Sequence, residues 1–168
     1  MNLLFHDQSL DKEMLEKFFT ALNSKEKLIT IYISSDGGLV SVLDTMLHAI
    51  NLDPKRFKVV GYDELCSCGF EFYIKVNCQK TLIPGCIGMY HQSTNKIFLD
   101  DKGKPSYFDG EAYLKRKKKT FYPELIKFME ICEFTKKESK KIKKGHDVYF
   151  QYDRFKEIEN AYTKNIQL

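Results

Sequence analysis

No apolar run in the 168 residues approaches the ~20 needed to cross a bilayer as a helix. The opening, MNLLFHDQSL, has no basic start and no long apolar stretch, so no secretory leader is expected and the chain reads as cytoplasmic. Cysteine is sparse and irregular: there are five, an odd number. Cys66 and Cys68 lack the two-residue separation of common zinc and thioredoxin pairs, and Cys78, Cys86 and Cys132 supply no second pair. That pattern argues against a secreted disulfide framework, and neither a metal nor any other cofactor is expected. There are no internal repeats or low-complexity tracts, and no glycine-rich stretch has the spacing of a dinucleotide or phosphate loop.

What remains is an ordinary globular composition, 43% hydrophobic and 30% charged, in a length that suits one domain over 1–168. The net charge of +4 is unevenly placed. Between Glu111 and Lys144 stand twelve Lys or Arg against five Asp or Glu, so the rest of the chain is mildly acidic. The blocks KRKKK (115–119) and KKESKKIKK (136–144) fit solvated helix faces. Nucleic-acid binding through them is the weaker reading, because no aromatic-rich groove pattern accompanies them.

Two halves differ in texture. In 1–91, LITIYI (28–33) and FKVVGY (57–62) read as buried strands. Between them Leu39, Val42, Leu43, Met46, Leu47 and Ile50 recur at helical spacing, which makes a strand–helix–strand unit and hence a parallel pair. NLLF (2–5) reads as a first strand and Leu10 to Leu22 as a helix with Met14, Phe18, Ala21 and Leu22 inward. GFEFYIKV reads as helix, and TLIPG and IGMYH as short strands. In 92–168 a polar stretch over 92–110 reads as a loop. A helical pattern follows from Gly110 to Phe134, to be kinked or broken at Pro123, then a basic helix over Lys136 to Lys144 and a final helix or turn from Tyr152.

Two short stretches could carry chemistry. SSDGG (34–38) joins a strand to a helix, where free backbone N–H groups favour an anion and glycines permit close approach; a plain tight turn explains it equally well. In ELCSCGF, Ser67 falls at the start of a helix. There its hydroxyl could cap that helix, or act as a nucleophile if a histidine serves as base. Of the four histidines, His6 and His48 suit surface roles, His91 closes the strand IGMY, and His146 precedes Asp147 in a loop. A strand end is where catalytic groups collect in such sheets. Cys68 is the weaker candidate nucleophile.

Taken in order, these segments resemble the proteolytic subunit of the Clp protease, ClpP. IYISSDGGLVSVLDTM is similar to the family's LYINSPGG…YDTM, ELCSCGFEFYI to its AASMGAFLL serine turn, and GMYHQS to its VMIHQP histidine strand. GHDVYFQYDRFKEIENAY is similar to ERDRFLSAPEAVEYG, which puts the third residue at Asp147. The resemblance implies an α/β, ClpP/crotonase-like fold of stacked βαβ units with a protruding handle helix from the second half. It implies Ser67 as nucleophile, His91 as base and Asp147 as its orienter. The oxyanion donors would be the N–H groups of Gly38 and Cys68, with Gly37 allowing the turn. The implied activity is serine-type hydrolysis of peptide bonds, without metal, inside a self-assembled ring that admits unfolded or short polypeptides.

There are departures from the pattern. Asp36 replaces the family's proline beside the oxyanion site, where an inward carboxylate would oppose developing negative charge. Cys66 and Cys68 replace small residues. The sequence begins almost at the first strand, so the family's axial loop and the helix before it are expected to be missing. Thr30 replaces one of two tyrosines linked to docking of a Clp-type ATPase, leaving Tyr32 and an open question about that partner. A non-catalytic scaffold or mixed-ring subunit is the alternative reading.

Overall fold

The computed structural model describes residues 1–92 and 123–166. β1 (Asn2–Phe5) and β2 (Ile29–Ser35) are parallel neighbours, with Leu4 opposite Tyr32, and α1 (Lys12–Leu22) crosses between them. Asp11 caps α1 by accepting the Met14 N–H at 2.9 Å, while Met14, Phe18 and Ala21 form its buried stripe. α2 (Val40–Leu52) then leads to β3 (Phe57–Cys66), which lies parallel to β2. Val42, Leu43, Met46 and Ile50 bury the inner face of α2. Leu39, expected on that face, is instead exposed, because it precedes the first helical turn and keeps an extended backbone.

β3 runs beyond FKVVGY because it is two segments joined by an irregularity. Its register against β2 slips between Ile33 and Ser35, and Asp63 within the slipped stretch takes a φ of 57°, as a bulge requires. Before the bulge, Lys58 to Gly61 pair with β4 (Gln79–Leu82). After it, Glu64 to Cys66 pair with β5 (Ile87–Tyr90). The sheet therefore forks, in the order β1-β2-β3-β5-β6 with β4 beside the first arm. The Pro84–Gly85 end of TLIPG is turn rather than strand.

α3 (Cys68–Lys75) follows β3 directly. Lys80 closes its far end, donating to the carbonyls of Tyr73 (3.1 Å) and Ile74 (2.9 Å), a cation where the helix dipole is negative. In the second half, a helix over 123–131 (α4) and α5 (Lys136–Lys143) precede β6 (Val148–Phe150) and α6 (Tyr152–Ile166). β6 runs antiparallel to β5 and falls where the sequence suggests only a loop. The loop expected over 92–110, apart from Gln92, the helical pattern over 110–122 and the KRKKK block lie outside the described residues.

An aromatic cluster locks the two halves together. Phe70 of α3 stacks on Phe150 (5.5 Å between ring centres) and on Phe155 of α6 (4.9 Å), and all three are fully buried or nearly so. Gly88 of β5 must lack a side chain here, since a Cβ would stand 2.9 Å from the rings of Phe70 and Phe155.

α5 is tied to α6 by Arg154, whose guanidinium donates to both carboxylate oxygens of Glu138 (3.1 and 2.9 Å). Burial pushes the Glu138 carboxyl upward, but hydrogen bonds from Arg154 and Thr135 outweigh it and hold the carboxyl below its usual range. Stability from this pair is therefore present above the ordinary glutamate pKa and lost as pH falls through the depressed value. Replacing Arg154 by Met should lower stability at neutral pH and flatten the acid limb of a stability-versus-pH curve measured by urea unfolding.

Candidate active site

Strand register brings Ser67, His91 and Asp147 to one place. Cys66 of β3 pairs with Met89 of β5, and the next N–H, that of Ser67, donates to the Met89 carbonyl at 2.8 Å. On the other side of β5, Tyr90 pairs with Val148 in antiparallel register, so His91 falls level with Asp147. The Ser67 hydroxyl lies 2.8 Å from His91 Nε2, and His91 Nδ1 lies 2.9 Å from Asp147 Oδ1. The histidine side chain is 23% exposed and that of the aspartate 50%.

The backbone at Ser67 excludes the capping role. A capping serine has extended backbone and accepts an N–H from the first turn. Ser67 instead has φ 52° and ψ −116°, and its hydroxyl makes no cap hydrogen bond. This left-handed conformation is unfavourable for a residue with a Cβ, and it turns the chain sharply from β3 into α3. The side chain is thereby presented to His91, and the N-terminal end of α3 lies beside it.

The glycine turn lies against this serine. Gly37 and Gly38 have φ of 124° and 135°, which side-chain-bearing residues rarely adopt. A Cβ on Gly37 would stand 2.8 Å from that of Ser67, and one on Gly38 would stand 2.5 Å from the backbone nitrogen and oxygen of Leu10. Leu10 is stitched to the turn, its N–H donating to the Gly37 carbonyl (2.6 Å) and its carbonyl accepting from Leu39 (2.8 Å). Among the described residues the N–H groups of Gly38 and Cys68 have no hydrogen-bond acceptor.

Asp36 is exposed and accepts from the Ser9 hydroxyl at 2.7 Å. Cys68 is buried, with its sulfur 3.3 Å from the Gly38 carbonyl, and burial pushes its thiol up to about 11. Burial does the same for Cys66, aided by the charges of Glu64, Asp36 and Asp147. Both thiols stay protonated near neutrality, which leaves neither a ready nucleophile.

His48 and His146 are exposed, and so is His6, which stacks on Tyr62 at 5.7 Å. His6, Asp7 and Asp63 bring three possible metal donor atoms within 4.8 Å of one another. All three residues are exposed, and Asp7 already accepts from Ser34 at 3.1 Å, so nothing beyond proximity points to an ion.

Two further residues build the site without touching its centre. Ser35, fully buried, accepts the Gly37 N–H and donates to the Gly37 carbonyl, both at 3.2 Å, which pins the glycine turn. Gly145 ends α5 with φ 80°. Its N–H reaches the Ile142 carbonyl (2.9 Å) and the His146 N–H reaches that of Lys141 (3.1 Å), a paired closure that aims the chain at Asp147. A glycine after a lysine-rich helix is a stop signal visible in sequence. A Cβ at Gly145 meets nothing within 4 Å, so Gly145→Ala carries only the left-handed strain. It should cost about 1 kcal/mol in urea unfolding while the fold persists.

No family model matches the sequence, and no curated protein does either. Among solved structures, a point mutant of ClpP1 from Listeria monocytogenes is similar over 94% of this chain and 86% of that one, with a TM-score of 0.66 and 20% sequence identity. The fold is that of ClpP. At this identity the ClpP likeness carries the fold alone, and the chemistry must rest on the residues just described.

Proposed function

We propose that this chain is a serine-type endopeptidase that cleaves unfolded or short polypeptides through an acyl-enzyme. One observation carries the reading. Ser67 departs from helix-cap geometry and instead heads an unbroken hydrogen-bonded line through His91 to Asp147. In that line His91 Nε2 takes the proton as Ser67 Oγ attacks the peptide carbonyl. Asp147 accepts a hydrogen bond from Nδ1–H, fixes the tautomer and stabilises the imidazolium. The tetrahedral oxyanion is received by the N–H groups of Gly38 and Cys68, aided by the positive end of α3. His91 then protonates the leaving amine, and water repeats the sequence to free Ser67.

A non-catalytic ClpP-like scaffold would have no use for an unfavourable backbone at Ser67. Asp36, the residue that most favours that alternative, is paired with Ser9 and exposed. The chemistry needs no metal or cofactor. By likeness of fold we assign a homo-oligomeric ring. Tyr32 is exposed at the surface and Thr30 stands in its strand. With one of the docking tyrosines replaced, partnership with a Clp-type ATPase stays an open question.

The reading is tested by hydrolysis of fluorogenic peptides, with assembly followed by light scattering. The assembled protein should turn over substrate with an initial burst, and Ser67→Ala should abolish both phases. Hydrolysis that persists in Ser67→Ala, or an assembled wild type inert to all peptides, would refute it.

A further inference from the structure

α4 and α5 form the walls of an open cleft of about 580 Å³. Ile126, Met129 and Phe134 give it an apolar lining. Along one edge stand Lys136, Lys140, Lys143 and Lys144, all exposed. Their spacing of four, three and one places them on a single face of α5, opposite the buried Ile142. Among the described residues none of these four lysines forms a salt bridge. Glu130 and Glu133 also line the cleft, and Glu133 is engaged by Asn165 at 3.2 Å. The balance is positive charge beside an apolar floor.

We infer that this cleft docks an acidic polypeptide segment bearing an apolar side chain, and so recruits substrate to the site. The lysines are strung over about 12 Å of helix rather than converging on one point. A single phosphate or lipid headgroup would meet one or two of them, whereas an extended acidic segment can meet all four. A nucleic-acid backbone would match the charge but would gain nothing from Ile126, Met129 and Phe134. Position adds a reason: Lys144 is separated from Asp147 only by Gly145 and His146. A segment held here keeps the rest of its chain near Ser67 at high effective concentration. The recruiting role rests on the peptidase reading; the docking does not.

The test uses the full-length Ser67→Ala protein and a fluorescein-labelled peptide of alternating Glu and Leu, followed by anisotropy. Binding should weaken at high salt and fall about tenfold or more in Lys136→Gln/Lys140→Gln/Lys144→Gln, neutral changes at exposed positions that leave the helix intact. It should also fall in Ile126→Gln, a change at a half-buried wall of the cleft, with circular dichroism confirming the fold. Equal binding of polyglutamate or single-stranded DNA, or no loss in either variant, would overturn the proposal. In the wild-type background, fusing the acidic segment to a cleavable peptide should lower KM and leave kcat unchanged. Docking that persists while no peptide is ever cleaved would sustain the groove and refute the peptidase reading instead.

Discussion

Asp147→Asn should lower kcat by about four orders of magnitude while the protein stays folded and assembled. The size follows from what the carboxylate does. With an amide opposite Nδ1, at a separation of 2.9 Å, His91 can settle in the tautomer that leaves Nε2 protonated. Nε2 then cannot accept the proton of Ser67, which lies 2.8 Å away. The fold should be spared because the Asp147 side chain is half exposed and serves no packing role. Steady-state hydrolysis at several pH values separates the effects. A loss confined to kcat supports the role, and a variant within tenfold of wild type would remove Asp147 from the chemistry.

Gly38→Ala should be the most damaging change in the glycine turn. The added Cβ would stand 2.5 Å from two backbone atoms of Leu10, at a φ of 135° that alanine resists. Neither the turn nor Leu10 can yield cheaply, since Leu10 is fully buried and bonded on both sides to the turn. The turn should move, taking with it the Gly38 N–H that we propose as an oxyanion donor. Loss of one such donor costs about two to three orders of magnitude in kcat. Thermal unfolding should also drop, and a variant equal to wild type in both turnover and melting would show that the turn is not used.

Much of the fold is legible in residue pattern because the first half repeats one unit. β-branched runs such as LITIYI give strands, here with Ile29, Ile31 and Ile33 buried on one face and Tyr32 exposed on the other, and Met14, Phe18 and Ala21 mark a helix by spacing alone. The forked sheet is not legible, since it depends on Asp63 adopting φ 57° within a continuous strand. β6 is hidden for a different reason. Three residues, with Val148 and Phe150 in and Tyr149 out, are too few to establish a period, and only pairing with β5 makes them a strand. Spacing puts Leu39 on the inner face of α2, yet the helix begins after it.

At the site, motif order suggests Ser67, His91 and Asp147, but local sequence cannot separate a helix cap from a nucleophile. Backbone dihedrals exclude the cap, and they depend on how β3 enters α3. The direction of Asp36 is likewise beyond sequence, because it is set by Ser9, twenty-seven residues earlier. Ser35 escapes notice in a run of small polar residues, although its hydroxyl pins the turn.

The most direct measurement is labelling of the assembled protein with a fluorophosphonate, read by intact mass beside Ser67→Ala and His91→Ala. The account predicts a single adduct on the wild type and none on either variant. An unlabelled wild type in its assembled form, or an adduct that survives in Ser67→Ala, would contradict it.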